Sequence, residues 1–110
     1  MNSRGPDVEA EITFLTTEEG GRKSFILSGY RPQFFYGGED HVAIQEFLGK
    51  ERVYPGESVT VHVYLLHPEL LYRSMNQGDS FSLREGMRVV AKGRITRILN
   101  LVENAKLSNR

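Results

Sequence analysis

Apolar and polar residues alternate with a period of two along two stretches of the chain, residues 8–15 and 58–66. A period of two places successive side chains on opposite faces of an extended strand. The apolar positions are Val8, Ala10, Ile12 and Phe14 in the first stretch and Val59, Val61, Val63 and Leu65 in the second. Both stretches are therefore predicted to be strands that bury one face and expose the other.

Shorter apolar segments between turn residues predict the remaining strands. They are a brief pairing at 24–27, a strand at 33–36 that Gly37 and Gly38 end, an extended segment at 41–47, and strands at 80–84 and 87–99. Glu85 and Gly86 predict a hairpin turn between the last two strands, and Gly93 predicts a β-bulge. Residues 67–80 form the longest irregular segment, in which we expect a short helical turn.

The pattern contains about six short strands, turn residues about every 8 to 12 positions and no long helical period. It favours an all-β fold, either an antiparallel barrel or a sandwich. We expect one domain, with a flexible leader at 1–7, a body at 8–100 and an irregular tail at 101–110.

The composition is that of a globular protein. With 39% hydrophobic and 25% charged residues, 110 residues are enough for one hydrophobic core. The absence of cysteine excludes disulfides, thiolate nucleophiles and cysteine-based metal sites. Because no apolar run reaches membrane-spanning length and no signal-type segment is present, we expect a cytoplasmic protein with no membrane partner.

The formal net charge is zero, but the charges are distributed unevenly. Residues 1–46 contain four Lys or Arg and eight Asp or Glu, whereas residues 47–110 contain ten and six. Residues 84–97 include only Glu85 as a carboxylate beside a basic stripe formed by Arg84, Arg88, Lys92, Arg94 and Arg97. The stripe either guides the approach of a charged partner or is neutralised by acidic residues across the folded sheet.

The segment "SGYRPQFFYGG", residues 28–38, sets an Arg-Pro-Gln run among aromatic residues. Alternation places Phe34 and Tyr36 on one face and Gln33 and Phe35 on the other. The aromatic side chains either fill a core or form a stacking platform for nucleic-acid bases, and the need for large residues inside a small barrel favours the core. Arg31 and Gln33 are then exposed and available for polar contacts.

We expect neither catalysis nor a cofactor. The sequence has no phosphate-cradling GxxxxGK[ST] loop. The histidines, His41, His62 and His67, lie on separate predicted segments and are not predicted to converge on a metal. The carboxylate pairs Glu18–Glu19 and Glu39–Asp40 lie beside glycine turns, where adjacent side chains point apart rather than sharing a cleft.

Three segments resemble, in order and spacing, the C-terminal β-barrel (domain III) of bacterial elongation factor Tu. They are "EEGGRKSFILSGYRPQFFY", "YPGESVTVHVYLLHP" and "FSLREGMRVVAKGRITRIL". The resemblance implies a six-stranded antiparallel Greek-key-type β-barrel. In that family the barrel packs against a GTPase domain, touches the T-stem of aminoacyl-tRNA and contributes to the exchange-factor surface, and it hydrolyses nothing itself.

The resemblance therefore implies a non-catalytic, translation-related binding module. Its expected partners are an elongation-factor-type GTPase domain, an exchange factor or, weakly, tRNA. The residues expected on the face toward the partner or the tRNA are Gly20, Arg22, Lys23, Arg31, Gln33, Glu85, Gly86 and Arg88.

Departures from the family pattern concentrate on the same face. The family usually has His at the place of Lys23, Arg at that of Gly37, Thr at that of Val42 and Ala at that of Ser82, and the residues Met87, Val89 and Lys92 are also new. Loss of a phosphate-contacting Arg at Gly37 weakens a salt-dependent backbone contact. The alternative is therefore a stand-alone, repurposed protein-interaction barrel that mimics domain III with an altered RNA face.

Overall fold

The computed structural model describes residues 4–108 and places strands close to those predicted, with one further short strand, Arg52–Val53, that the sequence did not predict. The strands are β1 (Val8–Phe14), β2 (Ile26–Leu27), β3 (Gln33–Tyr36), β4 (Glu39–Phe47), β5 (Arg52–Val53), β6 (Ser58–Leu65), β7 (Ser80–Glu85) and β8 (Arg88–Ile98). A 3₁₀ helix spans Pro68–Leu70, and one α-helix, α1, spans Leu101–Ser108. The predicted hairpin between the last two strands and the short helical turn are both confirmed.

Six of the strands close into a barrel in the order β1, β6, β4, β3, β7, β8, with β8 pairing back to β1. Every pairing is antiparallel. Strands β3, β4 and β6 follow one another around the barrel, and β1 lies beside β6, which is a Greek-key arrangement. Of the two all-β folds that the sequence allows, the barrel is confirmed.

The core lies inside the barrel and follows the alternation of the sequence. In β1 the side chains from Val8 to Phe14 at alternate positions are buried, whereas Glu11 and Thr13 are exposed. Phe34 stacks on Phe81 at 4.4 Å between ring centroids, which confirms the prediction that it packs in the core. Each such apolar side chain stabilises the fold by about 1.5–3 kcal/mol when fully buried.

Two bulges in β8 correct the prediction for Gly93. The register shifts show that Val90 and Thr96 are the extra residues, whereas Gly93 pairs regularly with Ile12 and Phe81. A Cβ at Gly93 would lie 2.3 Å from the Phe81 ring. The glycine is therefore required by the close approach of that ring and not by a bulge.

The C-terminal segment differs from the prediction. An irregular tail was expected from residue 101, but Leu101–Ser108 form α1, which packs against the 3₁₀ helix and buries Leu101, Asn104 and Ala105. A helix of two turns is marginal by itself and depends on such packing. No helix within residues 4–108 is long and apolar enough to cross a membrane.

The N-terminal segment lies on the barrel from Arg4 onward. Asp7 is fully buried, and its Oδ2 accepts hydrogen bonds from the backbone N–H of Leu65 at 2.6 Å and from Arg4 at 2.9 Å. Asn104 of α1 donates to the other carboxylate oxygen at 2.8 Å. Residues Arg4–Asp7 of the predicted leader are thus held against the barrel. Residues 1–3 of the predicted leader and 109–110 of the predicted tail lie outside the described residues.

Candidate functional site: a basic cleft beside the last hairpin

An open cleft of about 360 Å³ lies where the loop after β1 meets the β7–β8 hairpin. Its walls are formed by Arg22, Lys23, Ser24, Glu85 and Arg88. Four of these five residues are among those expected at the partner-facing side. The loop and the hairpin are more than 60 positions apart in sequence, so the barrel closure brings the two halves together.

The loop that carries Arg22 is held by its own side chains. Thr16 and Glu19 exchange hydrogen bonds, because the Thr16 N–H donates to Glu19 Oε1 at 2.8 Å and the Glu19 N–H to Thr16 Oγ1 at 3.1 Å. Gly20 has a φ of +96°, a conformation that glycine adopts without a Cβ penalty. The Thr17 hydroxyl then donates to the backbone carbonyl of Arg22 at 2.8 Å, which fixes the start of the cleft.

The opposite wall is the hairpin between β7 and β8. Gly86 has a φ of +63°, and Gly86 and Met87 form the two-residue turn that joins the paired residues Glu85 and Arg88. This pairing places an acidic and a basic side chain side by side, with Arg88 donating to Glu85 Oε1 at 3.4 Å. Met87 at the tip is 86% exposed.

The Glu85 carboxylate organises the cleft. Its Oε2 accepts one hydrogen bond from the guanidinium of Arg22 and another from the hydroxyl of Tyr30. The Arg22 guanidinium also lies 5.6 Å from the centroid of the Tyr30 ring, within the range of a cation–π contact. The cation is therefore held in one orientation by a salt bridge and an aromatic face.

The electrostatics keep this cluster ionic. Although burial alone would raise the pKa of Glu85, the hydrogen bonds from Tyr30 and Arg22 hold that pKa below its usual range. Burial raises the pKa of the Tyr30 phenol, and the neighbouring Glu85 carboxylate raises it further. The hydrogen bond to Glu85 raises the pKa of Arg22. At neutral pH, Glu85 is thus an anion and Tyr30 a neutral donor.

The charge that remains in the cleft is positive. Three cations, Arg22, Lys23 and Arg88, surround one carboxylate, and Arg22 is the cation most firmly held by it. Such a surface binds phosphates or carboxylates of a partner.

Arg31 and Gln33 lie outside the cleft. Arg31 lines a separate shallow groove with Arg4, Val42 and Tyr64. Gln33 of β3 is exposed and pairs with Arg84 of the neighbouring strand β7. Its side-chain amide donates a long hydrogen bond of 3.5 Å to Asp40. Of the eight residues expected on the partner-facing side, four line the cleft and the glycines Gly20 and Gly86 flank it. Arg31 and Gln33 lie elsewhere on the barrel.

The basic stripe is partly neutralised across the sheet. Arg84 donates to both oxygens of Asp40, at 3.1 and 2.9 Å, and Arg97 lies 3.8 Å from Glu9. Among residues 4–108, no carboxylate oxygen lies within 4.0 Å of the side-chain nitrogens of Lys92 or Arg94. Neutralisation across the sheet is therefore observed for Arg84 and Arg97, whereas Lys92 and Arg94 have no such partner among the described residues.

One histidine lies apart from the other two. His41 and His67 line one groove, whereas His62 lies on the outer face, 3.3 Å from Glu9 and 3.9 Å from Glu46. Within the part of the chain that the structure describes, no group of three or more His, Cys, Asp or Glu side chains is placed to hold a metal ion.

Sequence reasoning missed Tyr30. Its place among aromatic residues indicated a core side chain, and most of its ring does pack on the core. The hydroxyl, however, reaches Glu85, which is 55 positions away. Only the register of the closed barrel reveals that contact, so no local sequence signal was available for it.

A comparison with models of known protein families identifies one that this barrel matches. Residues 3–99 match the model of the family described as the elongation factor Tu C-terminal domain. The match covers all the barrel strands and both walls of the cleft and ends before α1. Because domain III is a non-catalytic part of a translation factor, the barrel is a translation-factor module. The chain belongs to the family of elongation factor Tu C-terminal domains.

Proposed function

We propose that this chain is a non-catalytic binding module of translation in the cytoplasm. It docks through the basic cleft to an elongation-factor-type GTPase domain, an exchange factor or the T-stem of aminoacyl-tRNA. The observation that carries the proposal is the convergence of Arg22, Lys23 and Arg88 around Glu85, at positions expected to face a partner.

The cleft is suited to docking because its central cation is already oriented. Arg22 loses little side-chain freedom on binding, since Glu85 and Tyr30 hold it before the partner arrives. Lys23 and Arg88 are more exposed and supply the electrostatic attraction that accelerates association.

Binding of aminoacyl-tRNA by this barrel is weak at physiological salt. Gly37 supplies no side chain for a phosphate, and three cations in one cleft neutralise few phosphates. Each cation removed from a phosphate contact reduces the slope of log affinity against log salt by about 1.

The test compares three purified ligands, namely a GTPase domain of the elongation-factor type, its exchange factor, and aminoacyl-tRNA. The variants Lys23→Glu and Arg88→Glu are matched by Lys50→Glu, an exposed lysine outside the cleft. We expect both cleft variants to lose binding of at least one ligand about tenfold and the control to keep it. Equal binding of every ligand by the wild type and both cleft variants contradicts the proposal.

A second candidate is a repurposed interaction barrel that mimics domain III. The favouring observation is Met87, which is 86% exposed at the tip of the hairpin beside the cleft. An exposed apolar side chain next to cations suits a protein partner better than an RNA backbone. Met87→Gly lowers the affinity for a protein ligand under this candidate and leaves tRNA binding unchanged.

A further inference from the structure

A second concave surface lies on the outside of the barrel and shares no lining residue with the basic cleft. It is an open hollow of about 570 Å³ over strands β1, β8, β7 and β3. Its central cations are Lys92 and Arg94 of β8, and we call it the Lys92–Arg94 hollow. Both side chains are exposed, while Ala91 and Ile95 of the same strand are buried.

The strand register arranges the polar side chains of the hollow in two rows across the sheet. Residues paired directly in antiparallel strands lie side by side on the same face. The first row is Thr13, Lys92 and Ser82, and the second row is Glu11, Arg94 and Ser80. Each cation is thus flanked by a serine hydroxyl on one side, and Arg94 faces a carboxylate on the other.

One wall of the hollow is fixed before any ligand binds. Phe35 continues the first row beyond Ser82, and the guanidinium of Arg84 lies 4.0 Å from the centroid of its ring. Asp40 anchors Arg84 through both carboxylate oxygens. At the rim Gly37 presents no side chain, so the approach over Phe35 is open.

The two cations have the spacing of an extended peptide. Lys92 and Arg94 are two positions apart on one strand, which separates their Cα atoms by roughly 7 Å. Acidic residues at alternate positions of an extended ligand have the same separation. Since no carboxylate lies within 4.0 Å of either cation among residues 4–108, both are available to such a ligand.

We propose that the Lys92–Arg94 hollow binds an extended segment of a partner protein that carries acidic side chains at alternate positions. Glu11, which pairs with Arg94 across the strands, weakens the attraction of that side of the hollow for any anionic ligand, so Lys92 supplies the stronger attraction. The half-buried ring of Phe35 offers an apolar contact for a side chain between the acidic ones. The hollow shares no lining residue with the basic cleft, so binding at the two surfaces is tested with different variants.

The experiment selects random seven-residue peptides on the immobilised 110-residue chain and measures the enriched peptides, resynthesised with a fluorophore, by anisotropy. The variant is Lys92→Gln/Arg94→Gln, which avoids placing an acidic side chain opposite Glu11. The matched control is Lys50→Gln/Lys106→Gln, two exposed lysines outside the hollow. We expect peptides with Asp or Glu at alternate positions, an affinity about tenfold lower for the variant, and no change for the control.

Other results overturn the inference. One is an enriched set without alternate acidic residues, and another is acidic peptides that bind the variant as tightly as the wild type. A third is a single-stranded RNA oligonucleotide that binds through Lys92 and Arg94 while no acidic peptide does. Should the double variant fail to fold by circular dichroism, the single variants Lys92→Gln and Arg94→Gln each give about a threefold loss under the inference.

Discussion

Arg22 and Glu85, 63 positions apart in the sequence, form a salt bridge that joins the loop after β1 to the β7–β8 hairpin. Each side chain is 30% exposed, so the pair lies at the edge of the core, neither free in solvent nor fully buried. Tyr30 donates to the same carboxylate oxygen and packs its ring on the core. The pair therefore couples the folding of the barrel to the shape of the basic cleft.

Glu85→Gln removes the charge that orients Arg22. We expect a loss of about 1 kcal/mol in the free energy of unfolding at pH 7, measured by urea denaturation, because the partners remain partly solvated. Since the fold lowers the pKa of Glu85, its contribution is present above the ordinary value of 4.5 and is lost as the pH falls through the lower, folded pKa. The difference between wild type and variant must therefore shrink in acid.

The control for this substitution is Glu18→Gln, an exposed glutamate in the turn before the cleft. It is expected to change the free energy of unfolding by less than about 0.5 kcal/mol. An equal loss in both variants, or a difference that does not depend on pH, contradicts the role given to Glu85.

Tyr36 gives a test at alkaline pH. Its hydroxyl donates to Asp79 Oδ2 at 2.6 Å and lies 3.0 Å from the carbonyl oxygen of Ser74. Burial, and next the hydrogen bond to Asp79, raise the pKa of Tyr36 to about 12. Because the unfolded chain deprotonates this phenol near pH 10, stability falls as the pH rises from about 10 to 12.

Absorbance at 295 nm measures this titration. Tyr36→Phe is expected to remove one phenol ionisation near pH 12 and to reduce the loss of stability between pH 10 and 12. A variant that loses an ionisation near pH 10 instead shows that Tyr36 is not held by Asp79.

Gly93→Ala tests the close approach of Phe81. The added Cβ would lie 2.3 Å from the ring, so either the ring or the strand must move, at a cost of about 1–3 kcal/mol in the free energy of unfolding. The double variant Gly93→Ala/Phe81→Leu is expected to lose less than the sum of the two single variants. If the losses of the two single variants add up to that of the double variant, the Phe81 ring does not occupy the space that a Cβ at position 93 would fill.

Asn104→Ala tests the attachment of α1. Asn104 donates to the Gly5 carbonyl at 3.0 Å and to Asp7 Oδ1 at 2.8 Å. Its removal leaves a fully buried carboxylate with one donor fewer, and we expect a loss of about 1–3 kcal/mol. Lys106→Ala, exposed on the same helix, is the control and is expected to stay within about 0.5 kcal/mol of the wild type. A negligible loss for Asn104→Ala indicates that α1 does not hold the N-terminal segment.

In the part of the chain that the structure describes, Gln45 places an amide without hydrogen-bond partners in the core, which lowers the stability of the fold. Its side chain is fully buried, and neither its Nε2 nor its Oε1 has a hydrogen-bond partner among residues 4–108. Gln45→Met keeps the shape and removes both polar atoms, so we expect a gain of about 1–3 kcal/mol in thermal or urea denaturation. Gln77→Met, at an exposed position, is the matched control with no expected gain. A destabilised Gln45→Met variant requires a hydrogen-bonding role for the amide.

The sequence predicted the strands well because their signal is local. Side chains of an extended strand alternate between two faces whatever the strand pairs with, so the buried positions from Val8 to Phe14 and from Val59 to Leu65 followed from polarity alone. The bulges did not follow, because the extra residues Val90 and Thr96 depend on how β8 meets two different neighbours.

The candidate site was predicted as a set of residues but not as an arrangement. The resemblance pointed to Arg22, Lys23, Glu85 and Arg88, and the structure gathers these four around one cleft. It places Arg31 and Gln33 elsewhere and adds Tyr30, because these placements depend on the register between distant strands.

By itself, the sequence determined the all-β class, the inward and outward faces of the strands, the turn glycines and the family. The tertiary structure decided which charges meet, where α1 packs, and why Gly93 is required. The physical reason is range: alternation and turn conformation are properties of neighbouring residues. Contacts such as Arg22 with Glu85 or Asp7 with Asn104 join residues 63 and 97 positions apart and exist only after the barrel has closed.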